Sequence, residues 1–324
     1  MSRNYYTQSF SSKNPHYRHN CYSYDLANGR PMDIDPNTIP RSFGTHDGTF
    51  HADDVTACAL LILCNLIDPT QIYRTRDPAL LARCEYVCDV GGVYDPQHKR
   101  FDHHQVDYTG QLSSAGMVLE YLRTKTLPQK EVDALNFSLI RGIDAHDNGK
   151  DPQISGYCFF SHIISNLTPI RYDATEEEMN EAFHKAVTFT LEHLTRFLER
   201  FRYNLSCRGD VQKAMASYRD VLIFDQHIPW MDVFFELDGE RHPASFIIMP
   251  MNGQWKLRGI PPTSDDRMRV RVPHPDSWAG LMNEDLKKAS GIDGAVFCHK
   301  GKFISVWKTK EAATRAAELL LKRL

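Results

Sequence analysis

From Phe43 onward, short apolar runs alternate with segments whose apolar positions recur every three or four residues. A brief apolar lead runs into His46, and residues 45–52 form a polar turn. Asp53 or Asp54 then caps a helix that carries Val55, Cys58, Ala59, Ile62 and Leu63 at helical spacing. Residues 71–73 read as a strand, Pro78 opens a short helix through Leu81, and residues 85–90 form a buried strand stopped by Gly91 and Gly92. Helices are expected over 113–122 and 130–143. Strands alternating with helices predict the α/β class, with a doubly wound, mostly parallel sheet. Such sheets bind ligands beyond the carboxyl ends of their strands.

Thr175 and Glu178 match a capping box at the head of one long amphipathic helix over 175–205. Phe183, Val187, Leu191, Leu194, Leu198 and Phe201 form its apolar stripe. A boundary is expected at its end, near Cys207. Strands follow at 221–224, 233–237, 245–249, 255–259, 295–298 and 303–307, and a helix over 310–321 closes the chain. This half reads as a second, α+β domain with a largely antiparallel sheet. The expected division is an extension over 1–40, an α/β domain over 41–206 and the α+β domain over 207–324.

The extension lacks hydrophobic periodicity and is expected to be flexible. Arg3, Lys13 and Arg18 precede the first acid, Asp25, a bias in the direction of an organellar transit segment, but no apolar h-region is present. Secretion is therefore not expected. The location read from the sequence is cytoplasmic, with organellar targeting by the extension as the alternative.

Composition narrows the partners. Of 324 residues, 42% are hydrophobic and 24% charged, as in a globular protein with a sizeable core. The longest apolar stretch, 57–67, is interrupted by Asn65 and is too short to span a bilayer, so no membrane partner is expected. A net charge of −3 excludes a global basic field for nonspecific nucleic-acid binding. From Ser206 onward 18 Lys+Arg stand against 15 Asp+Glu, and 20 against 26 in the rest, a split that suits metals in one half and a phosphate-bearing substrate near the other. The eight cysteines form no Cys-x-x-Cys pair and read as reduced thiols.

Four polar clusters interrupt the apolar pattern. His46, His51 and Asp53 lie within eight residues, a spacing that can chelate one ion; a helix cap and solvated turn histidines are the plainer alternative. Asp89 ends a buried strand, where a carboxylate is costly unless a cation pairs with it. In Asp102-His103-His104 the adjacent imidazoles point to opposite sides of an extended chain. One can bind metal while the other faces a substrate, with Asp102 fixing a tautomer. Asp144 and Asp147 share one helical face near a helix C-terminus, where acids are easier to explain beside a cation. Imidazole with carboxylate suits Mn²⁺ or Mg²⁺, with zinc and iron remaining open. Two such ions about 4 Å apart would activate a shared hydroxide and clamp phosphoryl oxygens, which points to phosphate-ester hydrolysis. Arg269 and Arg271, in an Arg-Val-Arg strand, are candidates for substrate-backbone contacts; solvated strand-face charges are the alternative.

These segments together resemble the melanocyte-proliferating-gene (Myg) exonuclease family, a branch of the DHH phosphoesterases. The resemblance runs from about Phe43 to the C-terminus. It is carried by His46-Asp47-Gly48-Thr49-Phe50-His51-Ala52-Asp53, Arg74-Thr75-Arg76-Asp77-Pro78, Asp89-Val90-Gly91-Gly92, Arg100-Phe101-Asp102-His103-His104-Gln105, Ser113-Ser114-Ala115-Gly116 and Ile143-Asp144-Ala145-His146-Asp147-Asn148-Gly149, and later by Trp255-Lys256-Leu257-Arg258-Gly259. It implies a DHH-type catalytic domain, a dinuclear site usually served by manganese, and 3′-to-5′ exonuclease action on RNA. By matching positions, His46, His51, Asp53, Asp89, His103 and Asp144 would be metal ligands, with Asp89 bridging and Asp147 the competing last ligand. His104 would face the scissile phosphate, so His104, Asp89 and Asp102 form the expected catalytic set. The family usually has Asn at Asp47 and Glu at Asp54, and Phe-Ile-Gly-Gly-His where this chain reads Phe303-Ile304-Ser305-Val306-Trp307.

The expected function is thus a Mn²⁺- or Mg²⁺-dependent phosphodiesterase acting on single-stranded RNA or a short oligonucleotide. Two alternatives stand beside it. One is hydrolysis of a small phosphate compound such as pyrophosphate, a nanoRNA or a cyclic dinucleotide; the other is a catalytically silent, metal-stabilised RNA-binding scaffold.

Overall fold

A computed structural model describes residues 36–323 together with two short strands, β1 (Tyr24–Asp25) and β2 (Arg30–Pro31), which pair antiparallel. Most of the expected 1–40 extension, including Arg3, Lys13 and Arg18, lies outside the described residues.

The first sheet contains β3 (Ile39–Thr45), β4 (Ile72–Arg74), β5 (Cys84–Cys88), β6 (Tyr94–Asp95) and β7 (Arg100–Phe101) in the order β4-β3-β5-β7-β6. All neighbours are parallel except β6 and β7. Side chains alternate across β5 as the pleat requires. Tyr86 and Cys88 join Phe43 and Phe101 in the main apolar cluster, while Val87 packs with Leu81 of α2 (Pro78–Arg83) on the opposite face. On that face α2 is the helix that packs against β5.

On the main face lies α1 (Ala52–Leu63), buried nearly all round; this is why its sequence reads as an uninterrupted apolar run rather than a stripe. Around it pack α3 (Ser114–Arg123), α4 (Gln129–Leu135), α5 (Arg141–Asp147), α6 (Phe160–Ser165) and α7 (Glu176–Ser206). The helix expected over 130–143 is divided by a π turn at Asn136–Ile140 between α4 and α5. The Thr175–Glu178 capping box is formed: Glu178 accepts from the Thr175 N–H at 2.8 Å, and Thr175 Oγ1 accepts from the Glu178 N–H at 3.2 Å.

After Cys207 come α8 (Arg208–Ser217), β8 (Val221–Ile223), α9 (Met231–Glu236), β9 (Phe246–Met251), β10 (Gln254–Gly259), α10 (Asn283–Ser290), β11 (Ala295–Cys298), β12 (Ile304–Trp307) and α11 (Lys310–Leu321). The second sheet has the order β11-β12-β10-β9-β8 and is antiparallel except between β8 and β9. Asn252 and Gly253, both at positive φ, make the two-residue turn that joins β9 to β10. Phe246 and Ile248 face α10 and α11, whereas Ile247 and Met249 face α8 and α9. The buried members of these two clusters all lie at or beyond Cys207.

Two expectations fail here. Residues 233–237 are not a strand: 233–236 belong to α9 and Leu237 caps it. Trp230, Val233, Phe234 and Leu237 recur at helical spacing and pack as one face, although their β-branched and aromatic character suggested a strand. Arg269 and Arg271 are not in a strand either. The Arg271 guanidinium turns inward and donates to the carbonyls of Gly239, His242, Ala244 and Pro261, so it clamps loops rather than facing solvent. Arg269 stays exposed, with Asp266 3.8 Å away.

Arg271→Ala would strip several partly buried carbonyls of their donor, at a cost of about 2 kcal/mol. Urea titration is expected to show that loss, with Arg271→Lys recovering only part of it, because one ammonium cannot span a fork of carbonyls.

Candidate metal centre

The three parallel strands β3, β5 and β7 deliver their following residues to one edge of the first sheet. His46 follows β3, Asp89 follows β5 and the Asp102-His103-His104 triplet follows β7. Asp89 sits at φ +58°, a left-handed conformation that aspartate tolerates better than most residues with a side chain. Its N–H donates to the Phe101 carbonyl at 3.0 Å, which ties the turn to β7. The carboxylate then divides its oxygens between two imidazoles. Oδ2 lies 3.2 Å from His46 Nε2, and Oδ1 lies 3.3 Å from His103 Nε2.

His46 Nδ1 donates to the Asp47 carbonyl at 2.8 Å. A carbonyl only accepts, so Nδ1 carries a proton, and Nε2 is the ring atom that faces the carboxylates. The first turn of α1 brings Asp53 and Asp54, both fully buried. The cap is His51 rather than either aspartate, since α1 begins at Ala52; Asp54, in the first turn, accepts at Oδ1 from the N–H groups of His51 and Val55 at 2.9 and 2.8 Å. Its Oδ2 lies 3.5 Å from His46 Nε2. Across the centre, His103 Nε2 is 3.0 Å from Asp147 Oδ2 and 3.8 Å from Asp53 Oδ2. His51 completes the rim: ligand atoms of His46, His51 and Asp89, and those of His51, Asp53 and Asp147, fall within 4.8 Å of one another.

This donor set fits divalent cations. Both Asp53 oxygens, Asp54 Oδ2, Asp89 Oδ1 and His103 Nε2 are buried without a hydrogen-bond partner. Such groups are normally satisfied, and several adjacent unsatisfied acceptors would repel one another unless protons or metal ions lie between them. The titration behaviour carries the same message. Burial, then the charges of Asp89, Asp147 and Asp54, push Asp53 well above the usual carboxylate range. Burial pushes Asp54 up to about 7 against the pull of His46. Burial alone would lower His46, but its bond to Asp89 and the Asp54 charge raise it to about 8. Likewise His103 reaches about 10 against burial, through Asp147 and Asp89. Burial would raise Asp89, yet the His103 and His46 imidazoles beside it hold it below the usual range. Without cations, protons hold the cluster together.

Asp102 and His104 form the outer wall. Asp102 Oδ1 accepts from the His104 N–H at 3.1 Å and from its Nδ1 at 2.8 Å, while Oδ2 accepts from the Gly92 N–H. The His104 side chain is 62% exposed. With Nδ1 committed to Asp102, its Nε2 is left free. A cavity of about 340 Å³ opens here, walled by His46, Asp89, Asp102 and His104 with Gly91, Gly92 and Arg76.

The structure corrects one site residue and adds two. Asp144 is turned away from the centre: its Oδ1 accepts from Ser113 N–H and Ser113 Oγ at 3.0 and 2.7 Å, at the start of α3. Gly116 makes room for it, since a Cβ there would lie 2.4 Å from Asp144 Oδ2. Asp147, the competing assignment, is the residue that reaches His103. Asp54, which stands where the family usually has Glu, also offers a free oxygen. Arg76 was passed over. It follows β4, which is parallel to β3, so the rule that picked out His46 applies to it equally. Its Nε donates to Asp47 Oδ1 at 2.9 Å at the cavity mouth.

At the departure in β12, Ser305 and Trp307 belong to the second core. Ser305 Oγ accepts from Trp307 Nε1 at 2.9 Å and lies 2.9 Å from His274 Nε2, and Trp307 packs edge-on against Trp278. Side chains here occupy space that a glycine pair would leave open.

Comparison with known proteins bears on this geometry. The family model MYG1_exonuc, described as an uncharacterised protein family (UPF0160), matches residues 42–321. The MYG1 protein of Chlamydia muridarum is 52% identical over 88% of this chain and 98% of its own length. The MYG1 exonuclease of Homo sapiens is 31% identical over 87% of this chain and 86% of its own. Among solved structures, RecJ of Thermus thermophilus in complex with Mn²⁺ aligns over 87% of this chain and 52% of that one, at 12% identity and a TM-score of 0.27, too distant to argue from.

Metal-free protein should lose stability as pH rises. Asp54 carries a folded-state pKa of about 7 against the ordinary carboxylate value of 3.8, so it binds a proton on folding between those values, and its contribution falls with pH across that window. His46, raised from 6.5 to about 8, contributes fully below 6.5 and is lost through 8. Cations instead bind the deprotonated ligands. Melting in chelator and in Mn²⁺ should therefore show a larger metal-induced gain in Tm at pH 8 than at pH 6; a smaller gain at pH 8 contradicts the assignment.

Proposed function

The chain belongs to the MYG1 exonuclease family, and on that premise we propose that it is a metal-dependent phosphodiesterase removing nucleotides from RNA in the 3′-to-5′ direction. One observation carries the chemistry: the two oxygens of Asp89 face two different buried imidazoles, each about hydrogen-bond distance away. A carboxylate so divided suits a bridge between two ions. His46 and Asp54 flank one of its oxygens, and His103 with Asp147 flanks the other, while Asp53 and His51 stand between the two ends.

Two divalent ions bound there, Mn²⁺ by preference and Mg²⁺ as the alternative, would supply positive charge for the phosphoryl oxygens and acidify a water. The remaining work falls to the protein. Asp102 holds the His104 ring in one orientation, so that Nε2 can take or give a proton at the cavity mouth. Arg76 offers a guanidinium at the same mouth, suited to a developing phosphoryl charge. The positive φ of Gly91 and Gly92 lets the backbone approach a ligand without a side chain in the way.

A polymeric substrate needs contacts away from the scissile bond. We assign these to the unit over 207–324, which would pair with a DHH-type catalytic unit over 41–206. Lys256 and Arg258 on β10 replace Arg271 as the candidates. Neither makes an ion pair among the described residues, and burial with the Arg258 charge pushes Lys256 down to about 8. Half-buried cations left without a carboxylate are suited to the phosphates of a single strand. That homologues carry the name exonuclease supports a nucleic-acid substrate over a small phosphate compound.

The test is cleavage of 3′- and 5′-labelled oligoribonucleotides of graded length in Mn²⁺, beside pyrophosphate. Mononucleotides should be released from the 3′ end, and Asp89→Asn should lower kcat at least about a hundredfold, with removal of both metals by chelator equally damaging. His104→Gln should lower kcat by about 10²-fold or more while binding of RNA persists. Turnover of pyrophosphate with RNA left intact would overturn the nuclease reading.

A further inference from the structure

A second constellation of metal-binding side chains lies beside the first centre and plays no part in it. His146 and Asp147 are neighbours at the end of α5, and about 100° of helix rotation separates them. Asp147 faces His103, whereas His146 turns the other way, where its Nδ1 lies 3.1 Å from Asp151 Oδ2. His162, in the first turn of α6, closes the group: its ring centre is 5.1 Å from that of His146, with the two planes at 90°. Ligand atoms of His146, Asp151 and His162 all fall within 4.8 Å of one another.

We propose that His146, Asp151 and His162 form a separate site for a borderline divalent ion such as Zn²⁺, which clips the segment between α5 and α6. Three features converge on it. Two imidazoles that share a tetrahedral ion bonded at about 2.0 Å place their ring centres about 5 Å apart, the spacing found here. Asp151 has a side chain only 12% exposed, although every residue from 152 to 158 is exposed. A carboxylate drawn inward from an otherwise solvated segment is accounted for by a cation. Finally, the donor set contains two imidazoles and one carboxylate, richer in nitrogen than the carboxylate-dominated first centre, and so selects zinc over manganese or magnesium. Three protein ligands leave a fourth position for water. The ion would fix the end of α5, and through it the backbone that carries Asp147.

This site is independent of the proposed nuclease activity, and its test counts metal rather than turnover. Full-length protein, stripped with chelator and dialysed against micromolar Zn²⁺, is assayed for bound metal as wild type, His162→Ala, Asp89→Asn and the double variant. His162→Ala should bind one equivalent less than wild type, and the same loss should separate the double variant from Asp89→Asn. Zn²⁺ should slow trypsin cleavage after Lys150 about tenfold in wild type and not in His162→Ala. Equal metal content and equal cleavage in both would overturn the site. Asp151→Asn provides the same comparison if His162→Ala melts early. Co²⁺ added to wild type reads the geometry without any substitution: an intense four-coordinate d–d band is expected, and a weak six-coordinate spectrum alone refutes the site.

Discussion

Mutual repulsion among buried carboxylates is the constraint around which the first half of the molecule is built. Asp53, Asp54, Asp89 and Asp147 converge with His46 and His103 in a largely buried space where water screens them poorly. No flexible loop could hold such a cluster, since the groups would swing out to solvent. Each is instead fixed at the end of a rigid element: two at the head of α1, one beyond β5 and one at the foot of α5. The head of α1 favours its acids through the helix dipole, while the foot of α5 disfavours Asp147. The arrangement is thus stable only with positive charge inside it. The fold supplies two imidazoles and leaves several oxygens unpaired for something more strongly cationic.

Much of this was legible in the chain. His46, Asp89 and the 102–104 triplet each follow a short apolar run, and parallel strands necessarily carry such residues to a common edge. What the sequence could not resolve was the choice between Asp144 and Asp147. Both lie on one face of an ideal helix and both sit in α5, so spacing alone does not separate them; the choice is made by Ser113, a partner 31 residues away from Asp144. Asp144 is then absorbed by Ser113 and the head of α3. The dual use of Asp54 was hidden because a first-turn acid bonded to the cap backbone uses only one of its oxygens there. Residues 233–237 misled through composition, and Arg271 through apparent exposure; in both cases partners distant in sequence decided the outcome.

The second half shows how a departure from a family pattern can be absorbed. Ser305 and Trp307 are not surface substitutions; they join His274 and Trp278 in a buried network with its own hydrogen bonds. Burial lowers His274 to about 4, so its ring is neutral there and able to share the Ser305 hydroxyl. The cationic pair on β10 stands on the adjoining strand, paired in register with β12: Lys256 opposite Val306, and Arg258 opposite Ile304.

One long helix joins these two halves. At 31 residues, α7 extends about 46 Å, and near its start Asn180 accepts from the Arg74 guanidinium, which also binds the Gly48 carbonyl in the turn after His46. Its last turns run on into α8 through a single residue, Cys207. A rod of this kind transmits torsion where a tether would dissipate it. Adding or removing one residue within α7 would swing everything beyond it by about 100°, so the length of this segment behaves as a gear ratio rather than as slack.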